Sequence, residues 1–305
     1  MPEVTLLGTG GMLPLKDRFL TSLYVEQDGK AVLIDCGEGT QVAFAQHGLK
    51  LSKIKAICLT HLHADHVTGL PGLLLSLGNT GCCDLLPIYC GTSTVEMVRH
   101  LLYVTGGLPF DVKIIPISER KQTSFLLPQI DPMLTVTAMP LKHRVSCLGY
   151  RLEFRKKPEF LPENARALQI PVQFYKLLHA GECVTLPDGR CIRPEQVTGK
   201  PRVPLRLTYT TDTLPIPEIS EFARESDLFI CEGMWGTEEK KDSMDQKRHM
   251  LMQDACRLAV KADAKRLWLT HYSPAEKEPE IYRDALEQIC PVVTVARDGE
   301  HIILK

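Results

Sequence analysis

Behind a β-branched, apolar run at residues 54–60 the chain reads Thr60-His61-Leu62-His63-Ala64-Asp65-His66, and a Leu-rich stretch follows. The run predicts a buried strand, and the stretch after it predicts a helix. Four ligand-type side chains within six positions at a strand's end cannot serve as apolar filler. Ionisable groups this close require opposite charge or a cation. In extended backbone alternate side chains point the same way, so His61 and His63 can face one ion while Asp65 and His66 turn towards a neighbour. A site for two metal ions is therefore expected at the edge of an α/β core.

On either side the same alternation of strand and helix recurs. Residues 4–9, 21–26 and 31–34 predict strands, the last running into Asp35-Cys36-Gly37, and residues 39–47 and 67–77 predict helices. Strands at 87–90 and 112–118 flank a helix at 93–104, and two adjacent strands follow at 134–141 and 148–154. Residues 155–204 are rich in Pro and charge, with helix-sized pieces at 162–168 and 172–180, a Pro187-Asp188-Gly189 turn, and too little apolar surface for a core of their own. They predict an arm inserted into one domain spanning 1–305. Strands at 205–210, 227–231, 266–270 and 292–296 and helices at 245–262 and 276–289 complete the pattern, and the fold class is layered α/β.

Composition narrows the function. The 305 residues are 44% hydrophobic and 24% charged, with 21 Gly and 21 Pro spread along the chain, which excludes disorder, collagen-like repeats and coiled coil. Lys and Arg number 36 against 37 Asp and Glu, so a basic coat for nucleic acid is absent and any polyanion must be gripped by local clusters. No apolar stretch reaches the ~20 residues of a membrane helix, and Met1-Pro2-Glu3 leads straight into a strand. No membrane contact and a cytoplasmic setting are expected. Eleven Cys without a C-x-x-C pair, several in apolar runs (Cys36, Cys58, Cys90, Cys231), predict reduced core residues. Gly37-Glu38-Gly39 lacks the spacing of a phosphate loop, and no nucleotide cofactor is expected.

A pair of ions needs more ligands, one of them bridging. His143, Asp212 and His271 each stand at or just past the carboxyl end of a predicted strand, where open α/β sheets gather their sites. Asp35, ending a buried strand, is expected to orient a ligand's ring by hydrogen bonding, with turn capping as the competing role.

His61-Leu62-His63-Ala64-Asp65-His66 resembles the H-x-H-x-D-H signature of the metallo-β-lactamase superfamily. Ile34-Asp35-Cys36-Gly37-Glu38-Gly39-Thr40-Gln41, Pro140-Leu141-Lys142-His143 leading to Gly149-Tyr150-Arg151, Thr211-Asp212-Thr213 and Leu269-Thr270-His271 resemble the ribonuclease Z family within it. The resemblance covers nearly the whole chain. It implies the metallo-β-lactamase fold, a four-layer αββα sandwich with an inserted flexible arm. It also implies a zinc-dependent endoribonuclease that removes the 3′ trailer from precursor tRNA and leaves a tRNA 3′-hydroxyl.

By the same resemblance His61, His63 and His143 hold one Zn2+, Asp65, His66 and His271 the other, and Asp212 bridges them. Imidazole and carboxylate suit zinc, and Mn2+ fits as well. Two ions ~3.5–4 Å apart can share a hydroxide that attacks the phosphodiester and can neutralise the charge that develops on it. Asp65 is further implied to orient or deprotonate the attacking water. His249, near the start of the predicted 245–262 helix, is implied to protonate the leaving oxygen, with Glu232 keeping it charged. His47, His100, His179 and His301 lack such context and read as surface or packing residues.

Residues 180–190 are similar to the flexible arm with which the family grips tRNA far from the cut. The similarity implies phosphate contacts from Lys156, Lys157, Lys176, Arg190, Arg193, Lys200 and Arg202. Two departures stand out: Ile170-Pro171 is followed by Val172-Gln173 where the family usually has Gly-Pro, and Phe19 closes the Pro14 to Phe19 loop where Asn is common. Expected partners are precursor tRNA and a second copy in a homodimer. The rival readings are another hydrolase of this superfamily acting on small phosphodiesters or sulfate esters, and an RNA-binding protein with a vestigial metal site.

Overall fold

The computed structural model describes residues 1–81 and 84–305 and divides into two compact units, Met1–Glu153 with Arg206–Lys305, and Phe154–Leu205. In the first unit the strands are β1 (Glu3–Gly8), β2 (Ser22–Gln27), β3 (Lys30–Ile34), β4 (Ile54–Cys58), β5 (Leu85–Gly91), β6 (Asp111–Ile117), β7 (Thr123–Leu126), β8 (Thr135–Leu141) and β9 (Cys147–Phe154). After the short arm strands β10 (Val184–Thr185) and β11 (Cys191–Ile192) come β12 (Leu205–Thr210), β13 (Leu228–Glu232), β14 (Leu267–Thr270), β15 (Val293–Val295) and β16 (His301–Ile303). Among the described residues these build two seven-stranded sheets, ordered β16-β1-β2-β3-β4-β5-β6 and β15-β14-β13-β12-β9-β8-β7. In the first, β3 to β6 are parallel neighbours; in the second, β12 to β15 are.

Parallel strands are covered on both faces, which is why β3 and β13 carry almost unbroken apolar runs. One face of the first sheet packs against α1 (Thr40–Gln46), α3 (Leu70–Gly78) and α4 (Val95–Val104), through Phe44, Leu73, Leu77 and Val98. One face of the second packs against α7 (Glu218–Phe222), α9 (Met252–Lys261) and α10 (Arg283–Glu287), through Phe222, Met252, Leu258 and Leu286. The remaining faces meet each other. Tyr150 Oη donates to Leu59 O at 2.7 Å, Leu148 N donates to Thr60 O at 3.0 Å, and the rings of Tyr89 and Phe125 stack at 4.6 Å. The result is the four-layer αββα sandwich expected.

Several expectations change. The helix expected at 67–77 is two pieces, α2 (Ala64–Val67) and α3, because Gly69 N donates to Cys36 O at 3.0 Å in place of an intrahelical carbonyl and Pro71 has no N–H to continue the ladder. The helix expected at 245–262 is also two, α8 (Lys241–Lys247) and α9, separated where Arg248 adopts left-handed backbone at φ 60. His249 therefore lies in the link between helices and not within one. The last expected helix, 276–289, shrinks to a 3-10 turn at Pro279–Tyr282 followed by α10. Strands β7 and β16 add edges that the apolar pattern does not reveal.

The unit Phe154–Leu205 holds α5 (Pro162–Ala167), α6 (Tyr175–Ala180) and the β10–β11 hairpin. Contrary to expectation it has a small core of its own, in which Ala165, Ile170, Leu178, Val184, Leu186, Ile192 and Val197 are buried. These residues are too widely spaced to show a period. Cys183 and Cys191 of this unit are exposed, which corrects the reading of the cysteines as core residues, whereas Cys36, Cys58, Cys90, Cys147, Cys231, Cys256 and Cys290 are buried. Cys82 and Cys83 lie outside the described residues.

Candidate metal centre

The carboxyl ends of β4, β8, β12 and β14 deliver the histidine-rich loop, His143, Asp212 and His271 to one place. Ligand atoms of His61, His63, His143 and Asp212 lie within 4.8 Å of one another, as do those of Asp65, His66 and His271, and those of Asp212, His249 and His271. Asp212 stands between the first two groups. Its Oδ2 is 3.6 Å from His61 Nε2 and 3.7 Å from His143 Nε2, while its Oδ1 is 3.0 Å from His271 Nε2 and 3.4 Å from His66 Nε2. One carboxylate thus offers a separate oxygen to each group, which is one way a carboxylate can bridge two ions.

For His143 and His61 the ring nitrogen facing inward is a lone pair, and hydrogen bonding on the far side of each ring decides this. His143 Nδ1 lies 2.9 Å from Arg248 O, a pure acceptor, so that nitrogen carries the proton and Nε2 is bare. Thr60 Oγ1 donates to Asp35 and so accepts from His61 Nδ1 at 3.0 Å, which leaves His61 Nε2 bare as well. Yet His61 Nε2 and His143 Nε2 stand 3.1 and 3.2 Å from His63 Nδ1. His63 Nδ1 could donate to only one of them. A cation resolves this crowding of acceptors.

The electrostatics give the same answer. Burial keeps His61 well below the usual imidazole range and pushes His143 down to about 4, so both rings are neutral at ordinary pH. Burial opposes charge on Asp212 too, but the imidazoles of His271, His66 and His61 overcome it and hold the carboxyl well below its usual range. His66 moves the other way: despite burial, Asp212, Asp35 and Asp65 raise it well above the ordinary value. A protein-only nest that recruits a proton onto His66 is short of positive charge. His271 Nδ1 is buried and has no hydrogen-bond partner among the described residues, a defect worth ~1–3 kcal/mol that marks where the ring's orientation is fixed by something other than its far side.

Each site residue expected from sequence is placed. Asp35 accepts from Thr60 N at 2.8 Å and sits 2.8 Å from His66 Nδ1, so it orients that ring and the loop together. Glu232, the last residue of β13, is 2.9 Å from His249 Nδ1. Burial disfavours the imidazolium, yet Glu232 overrides it and raises His249 to about 9. His249 Nδ1 also comes within 4.0 Å of Asp212 Oδ2. His47, His100, His179 and His301 are exposed. In the arm Lys157, Lys176, Arg193, Lys200 and Arg202 are exposed and Lys156 is half-buried. Arg190 is exposed as well but hydrogen-bonded within its own unit, to Asp188 at 2.7 Å and to Leu168 O at 2.9 Å, and braces the hairpin turn.

Three contributors escaped the sequence. Arg248 returns a hydrogen bond from its guanidinium to His143 O at 2.6 Å while its own carbonyl holds the His143 ring. Met12 N donates to Asp65 Oδ2 at 2.7 Å. Gly11 lies so close to His271 that a Cβ would stand 2.6 Å from the ring, and the Gly10-Gly11 pair was the available signal.

A family model described as anti-Pycsar protein Apyc1 matches residues 2–80. The chain is 38% identical to Ribonuclease Z of Lachnoclostridium phytofermentans over 305 residues, covering 100% of this chain and 98% of that one. Among solved structures it resembles the short form of human tRNase Z (ELAC1), with a TM-score of 0.71 and 22% identity, covering 99% of each chain. It also resembles the metallo-β-lactamase fold protein YhfI from Bacillus subtilis, with a TM-score of 0.69 and 19% identity over 99% of this chain and 98% of that one. The sandwich is therefore the metallo-β-lactamase fold.

Proposed function

The chain belongs to the ribonuclease Z family, and on that premise we propose that it is an endoribonuclease that removes the 3′ trailer from precursor tRNA, leaving a 3′-hydroxyl on the tRNA and a 5′-phosphate on the trailer. The observation that carries this reading is the splitting of Asp212's two oxygens between two groups of inward-facing ligand atoms. We assign His61, His63 and His143 to one zinc ion and Asp65, His66 and His271 to a second, with Asp212 shared; manganese suits the same donors. A bound pair of ions would supply an acidified water and positive charge against the charge that grows on the phosphate oxygens.

The chain's own residues do the rest. Asp65 orients the attacking water. His249, kept protonated by Glu232 on its Nδ1 side, presents Nε2 to the leaving 3′ oxygen and gives up its proton there. Asp35 and Arg248 fix the tautomers of His66 and His143 so that both offer a lone pair inward. On the arm Lys156, Lys157, Lys176 and Arg193 contact tRNA phosphates, while Arg190 shapes the hairpin. The enzyme works in the cytoplasm as a homodimer. Among the described residues no helix is long and apolar enough to cross a membrane.

The test is cleavage of a trailer-bearing transcript with both product ends mapped, using intact protein and an arm deletion. Cutting directly after the discriminator base, lost on deleting the arm while bis-p-nitrophenyl phosphate is still hydrolysed, supports the proposal. Hydrolysis of the small ester alone by the intact protein would replace it with a small-phosphodiester function.

A further inference from the structure

Residues 9–19, in the connection from β1 to β2, lie against the cage. Both ends of this loop are fastened to one half-buried carboxylate. Asp298 Oδ1 accepts from Thr9 N at 2.8 Å and Thr9 Oγ1 at 2.7 Å, and its Oδ2 accepts from Phe19 N at 2.5 Å. Gly10 N donates to Phe19 O at 2.9 Å and closes the base of the loop. Gly11 N to Tyr272 O at 3.0 Å and Tyr272 N to Thr9 O at 2.9 Å then lace it to the residue that follows His271. Arg18 reinforces the same seam, donating to Glu276 O at 2.8 Å with its guanidinium 5.2 Å above the Tyr272 ring.

The tip of the loop reaches the cage twice, through the Met12 amide on Asp65 Oδ2 and through Gly11 on the face of His271. Met12 at φ 65 and His271 at φ 60 are both in the left-handed region. Such backbone costs ~1–3 kcal/mol per non-glycine residue and persists only where the surroundings over-determine it. The surroundings here are the clamp. Only a carboxylate can take three donors at once, because an amide would turn an N–H towards one of them.

We propose that Asp298 is a positioning residue that, through the clamped loop, sets Asp65 and His271 for the ion they share with His66. The inference rests on the assignment of two ions to the cage. The Asp65 carboxylate has its rotation fixed by the Met12 amide, which occupies one lone pair of Oδ2 and leaves the other facing His271. Loosening the clamp frees that rotation and the His271 ring without touching the supports of His61 and His143, which are Thr60 and Arg248.

The experiment loads wild type and Asp298→Asn with two zinc ions per chain and follows release of each ion into an excess of a chelating dye. In Asp298→Asn one ion per chain should leave about tenfold faster and the other at the wild-type rate, the scale of effect seen when a partner behind a metal ligand is removed. On precursor tRNA kcat should fall by a similar factor with KM unchanged. Glu280→Gln, in the same recess but outside the clamp, should release both ions as wild type does. Thr9→Val, which removes one of the three donors, should speed the same ion by a smaller factor. If Asp298→Asn melts at a lower temperature yet releases both ions at wild-type rates, Asp298 is merely structural and the inference is overturned. If that variant fails to fold, unchanged release from Thr9→Val overturns it. A wild-type chain that holds fewer than two ions removes the two-ion assignment itself, and this inference with it.

Discussion

In the cage the far sides of the His61, His66 and His143 rings are already engaged, by Thr60, Asp35 and Arg248, and the clustered side chains are buried apart from half-buried His63. In the unit Phe154–Leu205 the named cationic side chains stand mostly outward over a small apolar core, and Arg190 is the one bound back onto its own unit by side-chain hydrogen bonds. The contrast reflects two tolerances. Ligand atoms must be held to tenths of an ångström, which burial and hydrogen bonds achieve, whereas attraction between an ammonium and a phosphate falls off slowly and survives a mobile side chain. Substitutions should therefore act through kcat in the cage and through binding and salt dependence in the arm.

The sharpest break of that contrast is Asp212→Ala, which removes the anion facing both groups. Cleavage should drop to background and bound zinc should fall below two ions per chain, while the affinity for precursor tRNA in a filter-binding assay is retained. His249→Gln should come next, with a loss of about 10²–10⁴-fold in kcat and little change in KM, measured on the same transcript.

The pH profile sharpens this step. A proton donor is competent below its pKa and is lost as pH rises through it; Glu232 raises His249 to about 9, and bound dications would lower that value. Activity should therefore decline on the alkaline side. Glu232→Gln should move that decline towards lower pH, and an unmoved profile would remove His249 from the donor role.

Asp35→Asn, which disturbs the far side of His66, should weaken zinc binding or activity by about 10–100-fold. The smallest effects belong to the arm. Lys157→Ala or Lys176→Ala should raise KM a few-fold, reduce the salt slope of tRNA binding by about 1, and leave hydrolysis of bis-p-nitrophenyl phosphate unchanged. An arm variant that lowered kcat on the small ester would abolish the division of labour between the two regions.

How much of this could be read from residues alone depended on local density of signal. His61 to His66 declare themselves because such crowding has no apolar explanation, and His143, Asp212 and His271 because each ends a strand with a clear apolar pattern. Arg248 could not be read that way. Residues 245–262 keep helical spacing throughout, and the left-handed turn at Arg248 is stabilised by the long-range bonds to His143, which leave no local trace. The arm core was hidden for a related reason, its seven buried side chains being scattered from Ala165 to Val197 without periodicity. Thr9 and Asp298 are 289 positions apart, so the clamp exists only once the sheet is assembled.

Half-buried His63 has one further implication. Of the clustered imidazoles it is the one that solvent reaches appreciably, so a histidine-acylating reagent such as diethyl pyrocarbonate should modify His63 ahead of His61, His66, His143 and His271, and an ion bound in the cluster would slow that reaction.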